Sequence, residues 1–562
     1  MNYFCNPVNI NYRYQFNEDP NKRKMQICRE AADPSMIYFQ GKYYIFASMT
    51  LSVWVSEDMT NWESFRLPEN LPLYDYAPDV SVIGEYVYFS ASKRREICNY
   101  YRTKDILNGP YEEIPGSFEF WDPNLFCDDD GRVYFYWGCS NTTPIWGVEL
   151  NRETMCPLGE RIALIDGDAW SKGYERVGEN HSGSDRPYIE GTWMNKYQGR
   201  YYLQYACSGT QYNIYSDGVY IGDSPLGPFR LADNNPYSYE PGGFLPGAGH
   251  GSTMWDKEKN LWHTATMRIS KNHIFERRVG IWPAGFDEDG ELFCNQRYGD
   301  WPMEIGSGKI NPWRNPGWYL ISYGKPATAS SSEERKGPER AVDENVQTWW
   351  RALTAESGEW LQVDLEKEYT VNAVQINFAD DGIDIPVPGK LQRTTQARYI
   401  EEKDYVTRWK LEGSPDGEHY FMIEDKSEAE TDLPHDLIVK EKGVRLRFLR
   451  LTILEVPYGQ RPCISGLRVF GVGDGQKPRT PKFEAVRENA LDMMIKITDG
   501  DAVGYNILWG SSPQKLYHSY MIFGMEQRVG ALVKGREYYV RVDAFNENGI
   551  TEGNTVKLME DQ

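Results

Sequence analysis

The sequence predicts an all-β protein whose residues 1–310 form a five-bladed β-propeller, because one hairpin pattern recurs five times there. In each copy a short apolar strand begins at a fixed slot, a turn follows, and an aromatic-rich strand returns. The copies start roughly 45 to 70 residues apart, close to the length of one propeller blade. They begin at Asp33, Ala77, Asp122, Glu190 and His250. A run of ordinary hairpins in a β-sandwich is the alternative interpretation.

Three of the five slots hold a carboxylate. Asp33, Asp122 and Glu190 each precede a tyrosine of the return strand by 11 or 12 residues. Equivalent slots of a closed circular repeat point at a common axis, where three carboxylates repel each other and lose hydration. Such crowding raises the pKa of at least one of them. The pattern favours a glycosidase site, although any one of these acids alone could cap a hairpin or bind a structural cation.

Inverting hydrolysis of a glycoside requires two carboxyl groups with different roles. One protonated carboxyl protonates the leaving oxygen, and one ionised carboxylate activates water from ~6.5–9.5 Å away. Asp33 has a short side chain and suits the ionised base if water and backbone amides reach it. Glu190 reaches further toward a leaving oxygen and could stay protonated when partly desolvated near Asp122.

Composition argues against several classes of partner. The net charge is −21, with acidic residues spread along the chain, which argues against nucleic acid and anionic membranes. No segment approaches the ~20 consecutive apolar residues of a membrane helix. Nine cysteines without a CxxC pair fit reduced thiols. The first residues lack the features of a signal peptide, so we interpret the protein as cytoplasmic, or as secreted if a leader is removed.

Two changes in composition divide the 562 residues into three predicted domains. A connector rich in Pro, Trp and Gly covers residues 311–319, and a second stretch rich in Gly, Lys and Pro covers 473–481. The predicted domains are 1–310, 320–473 and 480–562.

The first segment resembles glycoside hydrolase family 43, a family of five-bladed propellers that act with inversion. Three motifs carry the resemblance: Asp33-Pro, the hairpin Asp122-Pro-Asn-Leu-Phe-Cys-Asp-Asp-Asp-Gly, and Glu190-Gly. The resemblance implies that Asp33 is the general base and that Glu190 is the general acid. It implies that Asp122 tunes the pKa of the acid and orients it.

Two further positions match the same family. Gly249-His250-Gly251 corresponds to a motif whose histidine lies on the channel floor near a water or a bound cation. For His250 a water-mediated cation, a direct metal bond and a hydrogen-bonded structural role all stay open, because no second histidine lies nearby. The family's arginine ahead of the last hairpin matches Arg277, with Arg278 as the neighbouring candidate. Arg277 either binds a sugar hydroxyl or pairs with one of the acids.

Two features bear on the substrate pocket. An insert at residues 166–186 precedes the Glu190 hairpin and could reshape the pocket, whereas Gly-Thr after Glu190, where Gly-Pro is commoner, is expected to be harmless. Trp54, Trp121 and Trp193 flank the slots and are candidates for stacking on a sugar, although core packing is the commoner role of such residues.

The two later segments resemble known β-domains. Residues 320–473 resemble a discoidin or carbohydrate-binding module family 32 jelly roll through motifs such as Trp360-Leu-Gln-Val-Asp-Leu. Residues 480–562 resemble a fibronectin type III sandwich through Tyr538-Tyr-Val-Arg-Val-Asp-Ala. The resemblance implies an accessory jelly roll that could bind carbohydrate, with a structural calcium ion near Asp343. A chain ending near Pro316 is then expected to fold and hydrolyse a small aryl glycoside.

We therefore predict an inverting, exo-acting glycoside hydrolase that requires no cofactor for its chemistry. Its expected substrates are plant-derived oligo- or polysaccharides, from which it removes terminal pentoses as an α-L-arabinofuranosidase or β-xylosidase does. One alternative is a non-catalytic glycan-binding or adhesion protein, which a missing equivalent of Asp33 or Glu190 would have favoured. The other is a family 43 enzyme of another furanoside or galactoside specificity.

Overall fold

A computed structural model of the protein describes residues 2–19, 24–93, 95–393 and 397–559. These residues form β-strands and connecting loops, and their helices are short 3-10 turns at Gly173–Glu175, Glu179–His181, Pro338–Ala341 and Pro457–Gly459. The prediction of an all-β chain is confirmed. No helix in the described part of the chain is long and apolar enough to cross a membrane.

The described residues of the first region form 24 strands. In chain order they are β1 (Asn2–Phe4), β2 (Tyr14–Asp19), β3 (Lys24–Arg29), β4 (Ala32–Phe39), β5 (Lys42–Ser48), β6 (Ser52–Ser56), β7 (Glu63–Arg66), β8 (Asp79–Ile83), β9 (Tyr86–Ser90), β10 (Tyr100–Thr103), β11 (Glu112–Ile114), β12 (Asn124–Cys127), β13 (Val133–Trp137), β14 (Ile145–Leu150), β15 (Ile162–Ile165), β16 (Ile189–Tyr197), β17 (Arg200–Cys207), β18 (Ser216–Gly222), β19 (Phe229–Leu231), β20 (Gly249–Trp255), β21 (Leu261–Arg268), β22 (Arg277–Phe286), β23 (Leu292–Cys294) and β24 (Met303–Ile305).

Twenty of these strands form five consecutive antiparallel sheets of four, each in chain order: β4–β7, β8–β11, β12–β15, β16–β19 and β20–β23. The first strand of each sheet contacts the first strand of the next, and β20 contacts β4, so the contacts form a closed cycle. Pairing of β1 with β24 joins the two ends of the region. Because both faces of a sheet pack against neighbours, strands such as β13 read as continuous apolar runs and are fully buried.

In the second region, the part of the chain that the structure describes forms ten strands. They are β25 (Tyr319–Leu320), β26 (Ala327–Ala329), β27 (Trp350–Arg351), β28 (Glu359–Phe378), β29 (Gln392–Arg393), β30 (Ala397–Ile400), β31 (Arg408–Ser414), β32 (Phe421–Asp425), β33 (His435–Glu455) and β34 (Cys463–Val472). Eight of them form one sheet around a core that includes Trp350 and Trp409. The other two, β29 and β30, join β2 and β3 of the first region in a separate four-stranded sheet.

The third region forms two sheets, β35-β36-β39 and β38-β37-β40-β41, with β42 paired to β40. Its strands are β35 (Lys482–Arg487), β36 (Met493–Asp499), β37 (Gly504–Gly510), β38 (His518–Ile522), β39 (Glu526–Val529), β40 (Tyr539–Asn546), β41 (Gly549–Thr551) and β42 (Val556–Lys557). Its core is continuous with that of the fourth sheet of the first region, since Trp509 and Val540 belong to one apolar cluster with Tyr174, Tyr205 and Tyr239.

Candidate active site

A cavity of about 720 Å³ lies where the first strands of the five sheets begin. Its lining includes Asp33, Asp122, Glu190, His250 and Arg277. The structure therefore brings together the three predicted carboxylates, the slot histidine and the predicted arginine.

The backbone at the slots explains why these side chains converge. Asp33, Asp122 and His250 adopt left-handed conformations with φ of 51°, 48° and 52°, which are uncommon outside glycine and concentrate at functional sites. Strand pairing breaks register beside two of them, between Ala32 and Ser35 in the first sheet and next to Gly249 in the fifth. Such bulges re-aim a side chain, here toward the cavity.

In the fourth sheet a glycine, and not the slot residue itself, adopts the left-handed conformation. Gly191, with φ of 58°, takes the left-handed position one residue after Glu190. A Cβ at Gly191 would lie 2.6 Å from Cγ of His250, so the backbone must pass close to the imidazole there. Close approach of these two segments thus accounts for the Glu-Gly pair in the sequence.

Asp33 is buried among groups that stabilise its charge. The Ser48 hydroxyl donates to its Oδ2 at 2.7 Å, and Nη1 of Arg277 donates to its Oδ1 at 3.1 Å. Burial acts to raise the pKa of Asp33, but Arg277, His250 and Ser48 outweigh it and hold the pKa below its ordinary value. Asp33 is therefore ionised at neutral pH, and Arg277 pairs with this acid while also lining the cavity.

Asp122 and Glu190 form a second group with Cys139. The Cys139 thiol donates to Oε2 of Glu190 at 3.1 Å, and the Tyr215 hydroxyl donates to Oε1 at 2.5 Å. Side-chain oxygens of Asp122 and Glu190 and the Cys139 sulfur lie within 4.8 Å of one another. Burial raises the pKa of Asp122 to about 7, and the neighbouring Glu190 charge adds to this while His250 opposes it. This group can hold a proton near neutral pH.

His250 stands between the two groups. Its Nδ1 lies 3.4 Å from Oδ1 of Asp33 and 3.7 Å from Oδ2 of Asp122, and its backbone N–H donates to Asp217. Burial acts to lower the pKa of His250, but the surrounding carboxylates outweigh burial and raise it. A direct bond to a cation, a cation bound through water and a purely hydrogen-bonded role for His250 all stay predictions.

The predicted calcium position lies in the second region. Oδ1 of Asp343 accepts from the backbone N–H of Asn345 at 3.1 Å, and Oδ2 accepts from the Thr348 hydroxyl at 2.6 Å. Within the described ranges, Asp343 belongs to no group of three acidic, histidine or cysteine side chains close enough to share an ion. Calcium there would need backbone carbonyl ligands as well, and it stays a prediction.

The three candidate tryptophans have different positions. Trp121 lines the cavity. Trp54 is 1% exposed and donates to Asn11 in the apolar core, and the half-buried Trp193 donates to the Thr253 carbonyl oxygen. Neither indole lines the cavity, so the prediction that Trp54 and Trp193 contact substrate is corrected. Their hydrogen bonds hold them against neighbouring strands.

Sequence reasoning missed a set of small polar residues at the ends of the return strands. Ser48 bonds Asp33, the Ser92 hydroxyl accepts from the Asp122 backbone N–H at 2.9 Å, and Cys139 bonds Glu190. The signal was available in the sequence, because Ser48, Ser92, Cys139 and Ser208 all lie at or within two residues of the end of the second strand of a sheet.

The insert at residues 166–186 forms one wall of the cavity, which Val177, Asp185 and Arg186 line. The third region holds this wall in place. The Gly173 backbone N–H donates to the Leu532 carbonyl oxygen at 2.8 Å. Arg176 in the insert pairs with Asp492 and donates to the Gly530 carbonyl oxygen. The expectation that the insert shapes the pocket agrees with this geometry.

Comparison with known proteins agrees with the chemistry of the cavity. A model of glycosyl hydrolases family 43 matches residues 27–292, and a model of the F5/8 type C domain matches residues 326–387. The family 43 match contains Asp33, Asp122 and Glu190. The chain thus carries a family 43 domain followed by a discoidin-like domain, and it is a glycoside hydrolase. The alternative of a non-catalytic glycan-binding protein is set aside.

Two curated relatives illustrate the similarity. Xylosidase/arabinosidase 43A of Humicola insolens is 28% identical over 332 residues, 46% of this chain and 95% of the relative. A β-xylosidase of Xylanibacter ruminicola is 31% identical over 154 residues, 22% of this chain and 44% of the relative.

Among solved structures, a thermostable family 43 glycoside hydrolase superimposes with a TM-score of 0.42 at 20% identity, covering 56% of this chain and 100% of that one. The Bacteroides ovatus xyloglucan PUL GH43B structure superimposes with a TM-score of 0.43 at 16% identity. The match covers 99% of this chain and 98% of that one.

Proposed function

We propose that the protein is an inverting, exo-acting glycosidase that removes terminal pentoses, as α-L-arabinofuranosidases and β-xylosidases do. The observation that carries the proposal is the contrast between an ionised Asp33 and a proton-holding Asp122–Glu190 group in one cavity. The names of the relatives, xylosidase/arabinosidase and β-xylosidase, support the pentose class.

We also infer that the five sheets are the blades of a propeller, since their first strands contact each other in a closed cycle. The two sheets of the third region, with three and five strands, favour a fibronectin type III-like sandwich. The chemistry needs no cofactor, and calcium near Asp343 would be structural.

The reaction follows from the positions of the two groups. Asp33 accepts a proton from a water molecule whose oxygen attacks the anomeric carbon. The glycosidic C–O bond breaks as Glu190, the partly exposed member of the acid group, transfers its proton to the leaving oxygen. Asp122 helps to keep a proton in that group near pH 7. Attack and departure occur on opposite faces of the sugar, so the anomeric configuration inverts.

Two substitutions test these roles. We expect Glu190→Gln to lower turnover of natural glycosides by about 100- to 10,000-fold, because the leaving oxygen is no longer protonated. Activity on aryl glycosides with good leaving groups should fall much less. Asp33→Asn should abolish turnover of both kinds of substrate, since neither proceeds without activated water.

Asp128→Asn is a matched control, because Asp128 lies at the far end of the Asp122 hairpin, bonded to Lys196 and Tyr201. It should keep the wild-type ratio of the two activities. Near-normal activity of Asp33→Asn on both substrates would refute the base assignment, and retention of anomeric configuration, measured by NMR of the first product, would refute inversion.

A further inference from the structure

We propose that the second region supplies a positioning residue to the active site, Arg398, which orients the Asp33 carboxylate through Glu30 and Arg277. This inference rests on the proposed role of Asp33 as the base. It also revises the expectation of a jelly roll that stands apart from the chemistry.

Arg398 reaches the first region because its strand, β30, extends a sheet of that region. Strand β30 pairs antiparallel with β2, so that Arg398 lies opposite Asn17. The Arg398 side chain is 2% exposed. Its Nη1 donates to Oε2 of Glu30 at 2.6 Å and to Oε1 of Gln15, and its Nη2 donates to the hydroxyl of Tyr76. One guanidinium from residue 398 therefore fixes three side chains of the first region.

Glu30 connects Arg398 to the catalytic base. It is fully buried, and its other oxygen, Oε1, accepts from Nε and Nη2 of Arg277. Arg277 in turn donates from Nη1 to Oδ1 of Asp33 at 3.1 Å. The result is a buried chain of alternating charges, Arg398, Glu30, Arg277 and Asp33, in which each carboxylate fixes the orientation of the next guanidinium.

The chain has an electrostatic and a steric consequence. Loss of one cation from a buried network disfavours the ionised form of the carboxylates that remain. Arg398 also holds Tyr76, whose side chain lines the cavity, and the guanidinium carbon lies 5.1 Å from the centre of the Tyr76 ring. Arg398 thus acts on the charge of the base and on the shape of the pocket.

Other charged and titratable groups also face Asp33. They are His250, Asp122, Glu190, Cys139, Tyr215 and Tyr76, in addition to Arg277 and Glu30. All of them lie in the first region and keep their chemical identity when Arg398 is substituted, so a change in the pH profile can be assigned to the lost Arg398 charge and to its lost contacts with Glu30 and Tyr76.

The test uses Arg398→Gln in the full chain. We expect the rising limb of kcat/KM against pH to move upward by about 0.5 to 1 pH unit, because Asp33 becomes harder to ionise. Arg398→Lys keeps the charge but not the guanidinium fork, so its rising limb should match wild type while KM increases through Tyr76. Glu30→Gln should move the rising limb to lower pH, because Arg277 then pairs with Asp33 as its one remaining carboxylate and favours the ionised form of Asp33 more strongly.

Arg468→Gln is the matched control, because Arg468 is an equally buried arginine between the same two regions, paired with Glu344 and bonded to the Asp300 carbonyl oxygen. It should lower Tm without moving the rising limb. If Arg398→Gln lowers Tm with an unmoved rising limb, Arg398 serves only the interface and the proposal is overturned. If Arg398→Gln does not fold, an unmoved limb in Glu30→Gln overturns it equally. Activity in Asp33→Asn would instead overturn the proposed function.

Discussion

The cavity has two walls that are completed from outside the catalytic domain, and they are built differently. The Asp33 wall depends on Arg398 of the second region, which acts through fully buried charges. The insert wall, residues 166–186, depends on the third region, which holds it largely through backbone hydrogen bonds such as Lys534 to Ser171 at 2.8 Å. Its ion pair, Arg176 with Asp492, is partly open to solvent on the arginine side.

The two walls should therefore affect different properties of the enzyme, namely the protonation of its catalytic groups and the fit of its substrate. Buried charges interact strongly and set the protonation of their neighbours, whereas backbone hydrogen bonds fix position and carry no net charge. The Asp33 wall should therefore govern the pH dependence of the reaction. The insert wall should govern how tightly the substrate fits.

The largest effect is expected from removing both supports. A chain ending at Pro316 deprives Arg29 of Asp380 and Asp432, and deprives Glu30 of Arg398. Breaking a buried pair by removing one partner costs about 3–5 kcal/mol, and three such losses reach the whole stability of a typical domain. These buried pairs revise the expectation from sequence that such a chain folds and is active. We now expect no soluble active protein, measured by yield and by hydrolysis of an aryl glycoside.

A chain ending at residue 478 provides the comparison, because it keeps Arg398 but loses the support of the insert and the apolar core that the third region shares with the fourth sheet. It should retain the rising limb of the wild-type pH profile with a higher KM. A soluble 1–316 chain with wild-type kcat/KM would show that neither wall needs its outside support.

The next effect concerns the pH profile itself. The pKa of Asp33 is held below its ordinary value, so the base is ionised above pH ~4 and the rising limb should lie below that value. The pKa of Asp122 is raised to about 7, so the acid group loses its proton as pH rises through 7 and kcat/KM should fall there. We expect a bell-shaped profile in the 562-residue chain.

Asp122→Asn separates the two limbs. It removes a negative neighbour of Glu190, so we expect the falling limb to move to lower pH and kcat to drop by about 100-fold. The rising limb should be nearly unchanged, because Arg277 and Ser48 still hold Asp33. A falling limb that stays near pH 7 would show that Asp122 does not hold the relevant proton.

Sequence alone was sufficient where the relevant contacts are local. The convergence of Asp33, Asp122 and Glu190 on one cavity was predictable, because each opens a hairpin whose two strands lie within about a dozen residues. Arg398 could not be found in this way, because 368 residues separate it from Glu30 and neither residue belongs to a repeated motif.

The sequence also could not predict the direction in which a side chain points. Trp54 flanks a slot in sequence, yet its indole belongs to an apolar cluster with Trp262 in the fifth sheet. Strand alternation alone does not say which side of a sheet faces the channel, since the register of a strand and its bulges decide this. The opposite outcome for Trp121, which lines the cavity, depends on the same local geometry.

The smallest effect is expected from weakening the insert wall alone. Asp492→Ala removes the partner of Arg176 but leaves its bond to the Gly530 carbonyl oxygen and the hydrogen bond of Gly173. A partly exposed ion pair contributes about 1 kcal/mol, so KM should increase roughly fivefold. Both limbs of the pH profile and kcat should stay at wild-type values, because no catalytic group changes its charged neighbours. Asp501→Ala, which breaks an exposed pair with Arg479, should change none of these quantities. A shifted rising limb in Asp492→Ala would show that the two walls are coupled.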